Sequence, residues 1–589
     1  MLVQEMAVDS HSRPEDSTRW RDPVRHRGIA AMCIDAPEEV RRAMSHRILR
    51  TPVDRRTVLK VATGAAAGFY ASGIPGKSYQ RALAQESVVQ QILAIPGAGA
   101  QWTEADLQRV GELVLEPTKA NVQPGEFQGQ QLTFLGLNNA GLHNLVFRPL
   151  SQAWQEYTGA QIEWIDLPQN EVFARVQQSI VSDTVDFDIL EGGAPWEGDI
   201  LGRGLASAMP DWVATQVDVS DYVKLLQPPV GTWDGTTYRV SIDADAHNFN
   251  YRSDVFANQD LGAEWSAAGG AQEWGVPQTW QQVQAVTQFL NGKQLDGQDL
   301  NGILDVCAPW GGFGWYFFAS RASAYAKHPD NKAWLFDPSN MKPYVNNPAF
   351  VRAAQDVIDA LPSEPADQIN ADGNRVWQEQ FLAGIGTMLH WWGDVGSNVY
   401  TSDVSVVQDK VMFSILPGSD DVYNNATGAW DTLASGPNFA PNEAYIGWGL
   451  YVMNRTEASG VNKAAWSLAA HLGGKDLGTW TAVYPSGFQP YRTSSFNEEL
   501  WAAANLPAEF VASYLASQAD SYNHPNGAIE PRIPGIFQYY VAAETELARA
   551  YAGEITAQEA LDAAAAAWEQ ITDDIGRESQ VALYQAALA

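Results

Sequence analysis

The chain has 589 residues, 45% of them hydrophobic and 18% charged, with 49 Gly and 31 Pro spread along it, so a disordered or fibrous protein is excluded and more than one core is expected. Its formal net charge of −32 disfavours nucleic acid and anionic membrane surfaces as partners. No stretch offers about 18 uninterrupted apolar residues, so no direct membrane insertion is expected.

In chain order, residues 1–50 are Arg-rich and lack an apolar period, and Met44 offers an alternative start. Asp54-Arg55-Arg56-Thr57-Val58-Leu59-Lys60 resembles the twin-arginine export signal. A short apolar stretch from Val61 to Tyr70 and Ala82-Leu83-Ala84 follow it. Basic region, short apolar region and small-x-small site are the order of a cleaved signal. Residues 1–84 are therefore predicted to be a leader and signal peptide, cut after Ala84, that sends the chain to the periplasm. Residues 1–84 hold 14 basic and 9 acidic residues, which leaves 23 basic against 60 acidic ones. That excess reads as a solvated acidic surface in preference to a cationic ligand. One cysteine remains, Cys307, so no internal disulfide forms, and Gln85 stands where a lipoprotein would need a cysteine.

Residues 85–129 read as a helical extension. The first strand is predicted at Gln131 to Leu137, followed by a loop with Asn138 and Asn139, a helix near Leu145 to Tyr157 and a second strand at Gln161 to Ile165. This βαβ spacing implies a parallel pair covered by helices. A helix from Glu171 to Ser182 leads to a strand at Phe187 to Leu190. Ligands of open α/β sheets bind outside the carboxyl ends of the strands, which singles out the loops at Asn138-Asn139 and Glu191 to Trp196. Further helices are predicted at Trp280 to Leu290, Phe350 to Leu361 and through Gln538 to Ala587.

Several segments then occur in a telling order. Gly231-Thr232-Trp233-Asp234-Gly235-Thr236-Thr237-Tyr238 precedes Asn250-Tyr251-Arg252-Ser253-Asp254-Val255-Phe256. Pro277-Gln278-Thr279-Trp280, Trp391-Trp392-Gly393-Asp394, Leu416-Pro417-Gly418, Gly487-Phe488-Gln489-Pro490-Tyr491-Arg492 and Gly553-Glu554-Ile555-Thr556-Ala557-Gln558-Glu559-Ala560-Leu561 follow. Over residues 130 to 575 this series resembles the family 1 extracellular solute-binding proteins, the maltose-binding-protein-like group. The resemblance implies an α/β, two-lobed type II periplasmic-binding-protein fold. Each lobe would be a mixed sheet flanked by helices, with the ligand in the interlobe cleft. Lobe one is expected over 130–245 and 446–495, lobe two over 246–445 and 496–589. It further implies a monomeric substrate-binding component that hands its ligand to the permease subunits of an ABC transporter.

A sugar or polyol presents an apolar face and many hydroxyls, so its site needs flat aromatic surfaces beside fixed polar groups. Among 22 Trp, several lie beside Gly in segments read as loops: Trp196, Trp310, Trp315, Trp391, Trp392 and Trp448. Any one of them can equally be core. Glu191, Asp199, Asp243, Asp245 and Asp394 are candidate acceptors for ligand hydroxyls, with Asn138 and Asn139 beside them. Arg492 can bond ligand oxygens or tie a hinge. Which sugar or polyol is bound stays open.

The rival reading is a periplasmic glycan-acting hydrolase. Asp243 and Asp245 alternate with Ile242 and Ala244, as they would on one face of a strand, and two carboxylates are what such chemistry needs. Nothing else in the sequence marks a catalytic group, so no enzyme is expected. No CxxC, HExxH, P-loop or Rossmann fingerprint occurs, so neither metal nor cofactor is expected.

Overall fold

Among the described residues, nine strands interspersed with helices form two larger sheets, beside three two-stranded ribbons. The protein is described by a computed structural model covering residues 88–93, 103–137, 144–402, 404–483, 488–502, 504 and 506–588. The predicted leader, its cleavage point, Asn138 and Asn139 lie outside the described residues. In chain order the strands are β1 (Gln131–Leu137), β2 (Gln161–Leu167), β3 (Ile189–Gly193), β4 (Arg239–Ser241), β5 (His247–Arg252), β6 (Asn301–Leu304), β7 (Gly386–Trp392), β8 (Val411–Ile415) and β9 (Trp448–Val452).

The first sheet has the order β2-β1-β3-β9-β4 and the second β6-β7-β5-β8. β1, β2 and β3 are parallel, whereas β9 runs antiparallel to both β3 and β4. In the second sheet β6 and β7 are parallel, and β5 is antiparallel to β7 and β8. Trp448 pairs with Gly193 and Gly449 with Ser241, so these residues share the edge where β1 and β3 end. Trp392 pairs with His247 and Ile415 with Asn248 at the matching edge of the second sheet. The chain joins these edges directly at 242–246, again over 416–447, and a third time after 488.

Local sequence explains most elements. Thr279 accepts the Gln282 amide at the start of Trp280–Leu290, whose Trp280, Val283, Val286, Thr287 and Leu290 are buried at helical spacing. The helix predicted near Leu145 to Tyr157 is two, Asn144–Leu150 and Gln152–Thr158, with Pro149 removing a backbone donor just before the break. The C-terminal helical stretch is three helices, Ile536–Tyr551, Ala557–Ile575 and Arg577–Leu588. Among the described residues of 85–129 there are three short helices, Val88–Leu93, Glu104–Leu113 and Glu116–Lys119.

Thr556 and Glu559 form a reciprocal capping box at the start of Ala557–Ile575. Thr556→Ala is expected to lower unfolding free energy by about 1 kcal/mol. Urea unfolding checks it, and an unchanged midpoint would remove the cap from the account.

Two strand expectations need correction. The strand predicted at Phe187 to Leu190 runs from Ile189 to Gly193, because β9 pairs with Glu191, Gly192 and Gly193, residues whose types do not advertise a buried strand. Asp243 and Asp245 do not share the face of a strand: β4 ends at Ser241 and β5 begins at His247, and the residues between link the two sheets.

Candidate functional site

Where the two sheet edges approach, the first link, 242–246, is buried throughout. The Asp243 carboxylate accepts the amides of Ala244 (2.9 Å) and Gln489 (2.6 Å), and Asp245 accepts from the Gln489 side chain. Gln489 Oε1 in turn accepts the Gly393 amide at 2.8 Å and Gln518 Nε2 at 3.2 Å. One carboxamide thus holds together the first link, the end of β7 and the helix Ala508–Tyr522.

The second link crosses the first at Gly447. Its φ is +85°, and an added Cβ would overlap the Asp243 carbonyl and come within 2.7 Å of Ala244 Cα. Only glycine fits there. Tyr445 and Ile446 before it also have positive φ, 73° and 54°. Such conformations cost non-glycine residues about 1–3 kcal/mol each and persist only where surrounding structure holds them. The Tyr445 amide is held by Glu530, and its ring lies over Gly193 at the end of β3, where a side chain would collide with it.

Around this crossing the aromatic rings form a continuous wall. Tyr445 lies 4.6 Å from Trp448, 5.9 Å from Trp196 and 5.3 Å from Phe313, measured between ring centroids. Phe313 reaches Trp392 at 6.4 Å and Trp310 at 5.9 Å. The wall therefore runs from Trp196 and Trp448 at the first sheet to Trp392 and Trp310 at the second. Such rings supply the flat apolar faces that a carbon skeleton can cover.

Burial sets the charge state of the carboxyls. Glu530 accepts the hydroxyls of Tyr316 (2.8 Å) and Tyr540 (3.0 Å), and desolvation pushes its pKa up to about 8. Asp394, at the start of the helix Val395–Thr401, is pushed up to about 8 by burial and then by the charge of Asp243. Asp245 is raised well above the usual carboxylate range by burial, with Asp243 and Asp394 adding repulsion.

The remaining candidates divide by position. Glu191 accepts the Leu137 amide at 3.0 Å, at the end of β1. Trp315, expected in a loop, stands in the helix Gly314–Ala326, stacked 5.3 Å from Tyr540 and packed against Trp568. It is core. Trp391 and Trp392 lie on β7, not in a loop, and so point to opposite sides: Trp392 joins the wall, while Trp391 is buried with Phe317 at 4.9 Å and Trp377 at 6.1 Å. Trp448 is likewise on a strand, β9, and Trp196 in a short 3-10 turn.

Asp199 accepts the Gly535 amide at 3.0 Å and ties the helix Glu197–Ile200 to the C-terminal segment. Arg492 donates to the Gly473 carbonyl at 2.7 Å and lies over the rings of Tyr222 (4.9 Å) and Tyr491 (5.0 Å). It ties elements of one side together. Tyr445, Glu530, Gln489 and Gln518 were not singled out by sequence. Gln489 lay inside a recognised segment, but nothing local marked Glu530.

No family sequence profile and no curated protein matches the chain. Solved structures do. An ABC transporter solute-binding protein from Agrobacterium radiobacter K84, in complex with ribitol, is 19% identical, with a TM-score of 0.58 over 76% of this chain and 99% of that one. One from Agrobacterium vitis S4, with bound D-mannitol, is 19% identical at a TM-score of 0.56 over 76% and 99%. Maltose-bound MalE3 of T. maritima is 16% identical at 0.54 over 75% and 100%. The fold is the type II periplasmic-binding-protein fold, mixed α/β in its sheets.

Proposed function

We propose that the chain is the substrate-binding component of an ABC importer, capturing a carbohydrate or polyol between its two sheets and presenting it to the permease subunits. The observation that carries this reading is the aromatic wall from Trp196 and Trp448 to Trp392, bordered by Asp243, Asp245 and Gln489 at the crossing. Ribitol, mannitol and maltose in proteins of the same fold point the same way. The lobes are assigned to 130–245 with 446–495 and to 246–445 with 496–589, so that the links at 242–246 and 416–447 act as hinges.

Closure follows from binding only if the ligand makes better contacts in the closed state. The twin-arginine leader delivers the chain, cut after Ala84, to the periplasm, where it acts as a monomer. No helix among the described residues is long and apolar enough to cross a membrane. A thermal-shift screen of sugars and polyols tests the reading. A true ligand at about 100 times its dissociation constant adds about 2.7 kcal/mol of stability and raises the melting temperature. Turnover of an oligosaccharide would replace this reading with hydrolysis.

A further inference from the structure

The crossing also states something about the charge of the ligand. Asp245 is 5% exposed and Glu530 4% exposed, and the bonds made to them come from neutral donors: a carboxamide for Asp245, two tyrosine hydroxyls and a backbone amide for Glu530. The cation that reaches Asp245 is Arg239. Its guanidinium is already turned to the Gly447 carbonyl at 2.7 Å and to Glu197 at 3.7 Å. Asp243 on the same link and Asp394 after β7 are further carboxyls near Asp245, and ionisation of either disfavours ionisation of Asp245.

A second, independent feature sits in the same place. Tyr445 is 1% exposed, and its hydroxyl has no hydrogen-bond partner among the described residues. A buried polar atom left this way is costly, and a ligand that bonds it recovers that cost. Asp245, Tyr451, Glu530 and Arg239 are the ionisable groups around this hydroxyl. Glu530 holds the Tyr445 amide, and Gly447, two residues on, lies against the Asp243 carbonyl, so Tyr445, Glu530 and the link that carries Asp245 meet at one crossing.

We propose that the site takes a polyhydroxylated ligand bearing an ammonium group, an amino sugar or amino polyol, with Asp245 and Glu530 as counter-charges and the Tyr445 hydroxyl as a recognition group. This rests on the carbohydrate reading above and narrows it. Without ligand, burial favours the neutral form of both carboxyls: Glu530 is pushed up to about 8 and Asp245 is raised well above the usual carboxylate range. An arriving ammonium favours the carboxylate, so binding passes a proton from a carboxyl to solvent.

The test uses the full chain and matched pairs: D-glucosamine with D-glucose, and 1-amino-1-deoxy-D-sorbitol with D-sorbitol. Thermal shift is followed by titration calorimetry in phosphate and in Tris at pH 7. In at least one pair the amino member is expected to bind about tenfold or more tightly, as charge-assisted bonds allow, and to release up to about one proton. Asp245→Asn should abolish that preference. Tyr445→Phe should weaken both members alike while raising the unliganded melting temperature, since it removes the unpartnered hydroxyl. Neutral members binding as well as amino ones, without proton release, would overturn the inference and leave the carbohydrate reading standing. Binding by no member would also overturn the inference, and the broader sugar and polyol screen then decides the carbohydrate reading. If Asp245→Asn fails to fold, the proton count of the wild-type protein and Tyr445→Phe decide.

Discussion

Glu197→Ala is expected to lower unfolding free energy by about 3–5 kcal/mol, the usual cost of removing one partner from a buried ion pair. Glu197 is fully buried and holds Arg532 at 2.6 Å, with Arg239 at 3.7 Å on its other oxygen. It also accepts the Gly231 amide at 2.9 Å and the Tyr451 hydroxyl at 3.0 Å. One carboxylate therefore joins β4, β9, the loop before β4 and the segment that leads to Ile536–Tyr551. Alanine would leave two guanidinium groups in a dry interior without their counter-charge, and their desolvation sets the size of the loss. Urea unfolding at neutral pH measures it. A loss under about 1 kcal/mol would mean that water reaches the two arginines, and the tie would be worth no more than a surface pair.

The wild-type protein is expected to lose about 3–5 kcal/mol relative to Glu530→Gln between pH 5 and pH 9. Glu530 has an ordinary value of 4.5 and is raised to about 8 in the folded chain by burial. The folded state thus holds the proton more tightly than the unfolded one. The stability from this carboxyl is complete below 4.5 and drains away as pH rises through about 8. Glutamine does not titrate, and its carboxamide can accept the Tyr445 amide while donating towards the Tyr316 and Tyr540 hydroxyls. Urea unfolding of both proteins at pH 5, 7 and 9 gives the difference directly. A difference that stays constant across that range would show that Glu530 is charged throughout.

Such groups explain why the fold was more legible in the sequence than the site was. β1, at Gln131–Leu137, and the helix Trp280–Leu290 coincide with their predicted bounds, since an apolar strand before a turn and a capped amphipathic helix are written in consecutive residues. The break after Leu150 was missed although Pro149 signals it. The stretch from Glu191 to Gly193 looked like a loop because its strand character comes from pairing with β9, more than 250 residues away.

The tryptophans make the same point at the site. Trp196, Trp315 and Trp392 share one local feature, a nearby glycine, yet Trp315 fills a core against Tyr540 and Trp568 while the other two belong to the wall between the sheets. Neighbours in the chain cannot separate these cases. What packs against each face of an element, and not its neighbours in the chain, decides its surroundings.

Alone, the sequence determined the alternation of strands and helices, the acidic balance of the chain and the family-like segments that anticipated its two-sheet architecture. All of these depend on residues close together in the chain or on composition. Tertiary structure decided that Asp243 and Asp245 lie on the link between sheets and that Arg492 and Asp199 serve as ties. It also decided that Tyr445 and Glu530 meet at the crossing. Burial and long-range contact create these roles, and both exist only once distant segments have closed on one another.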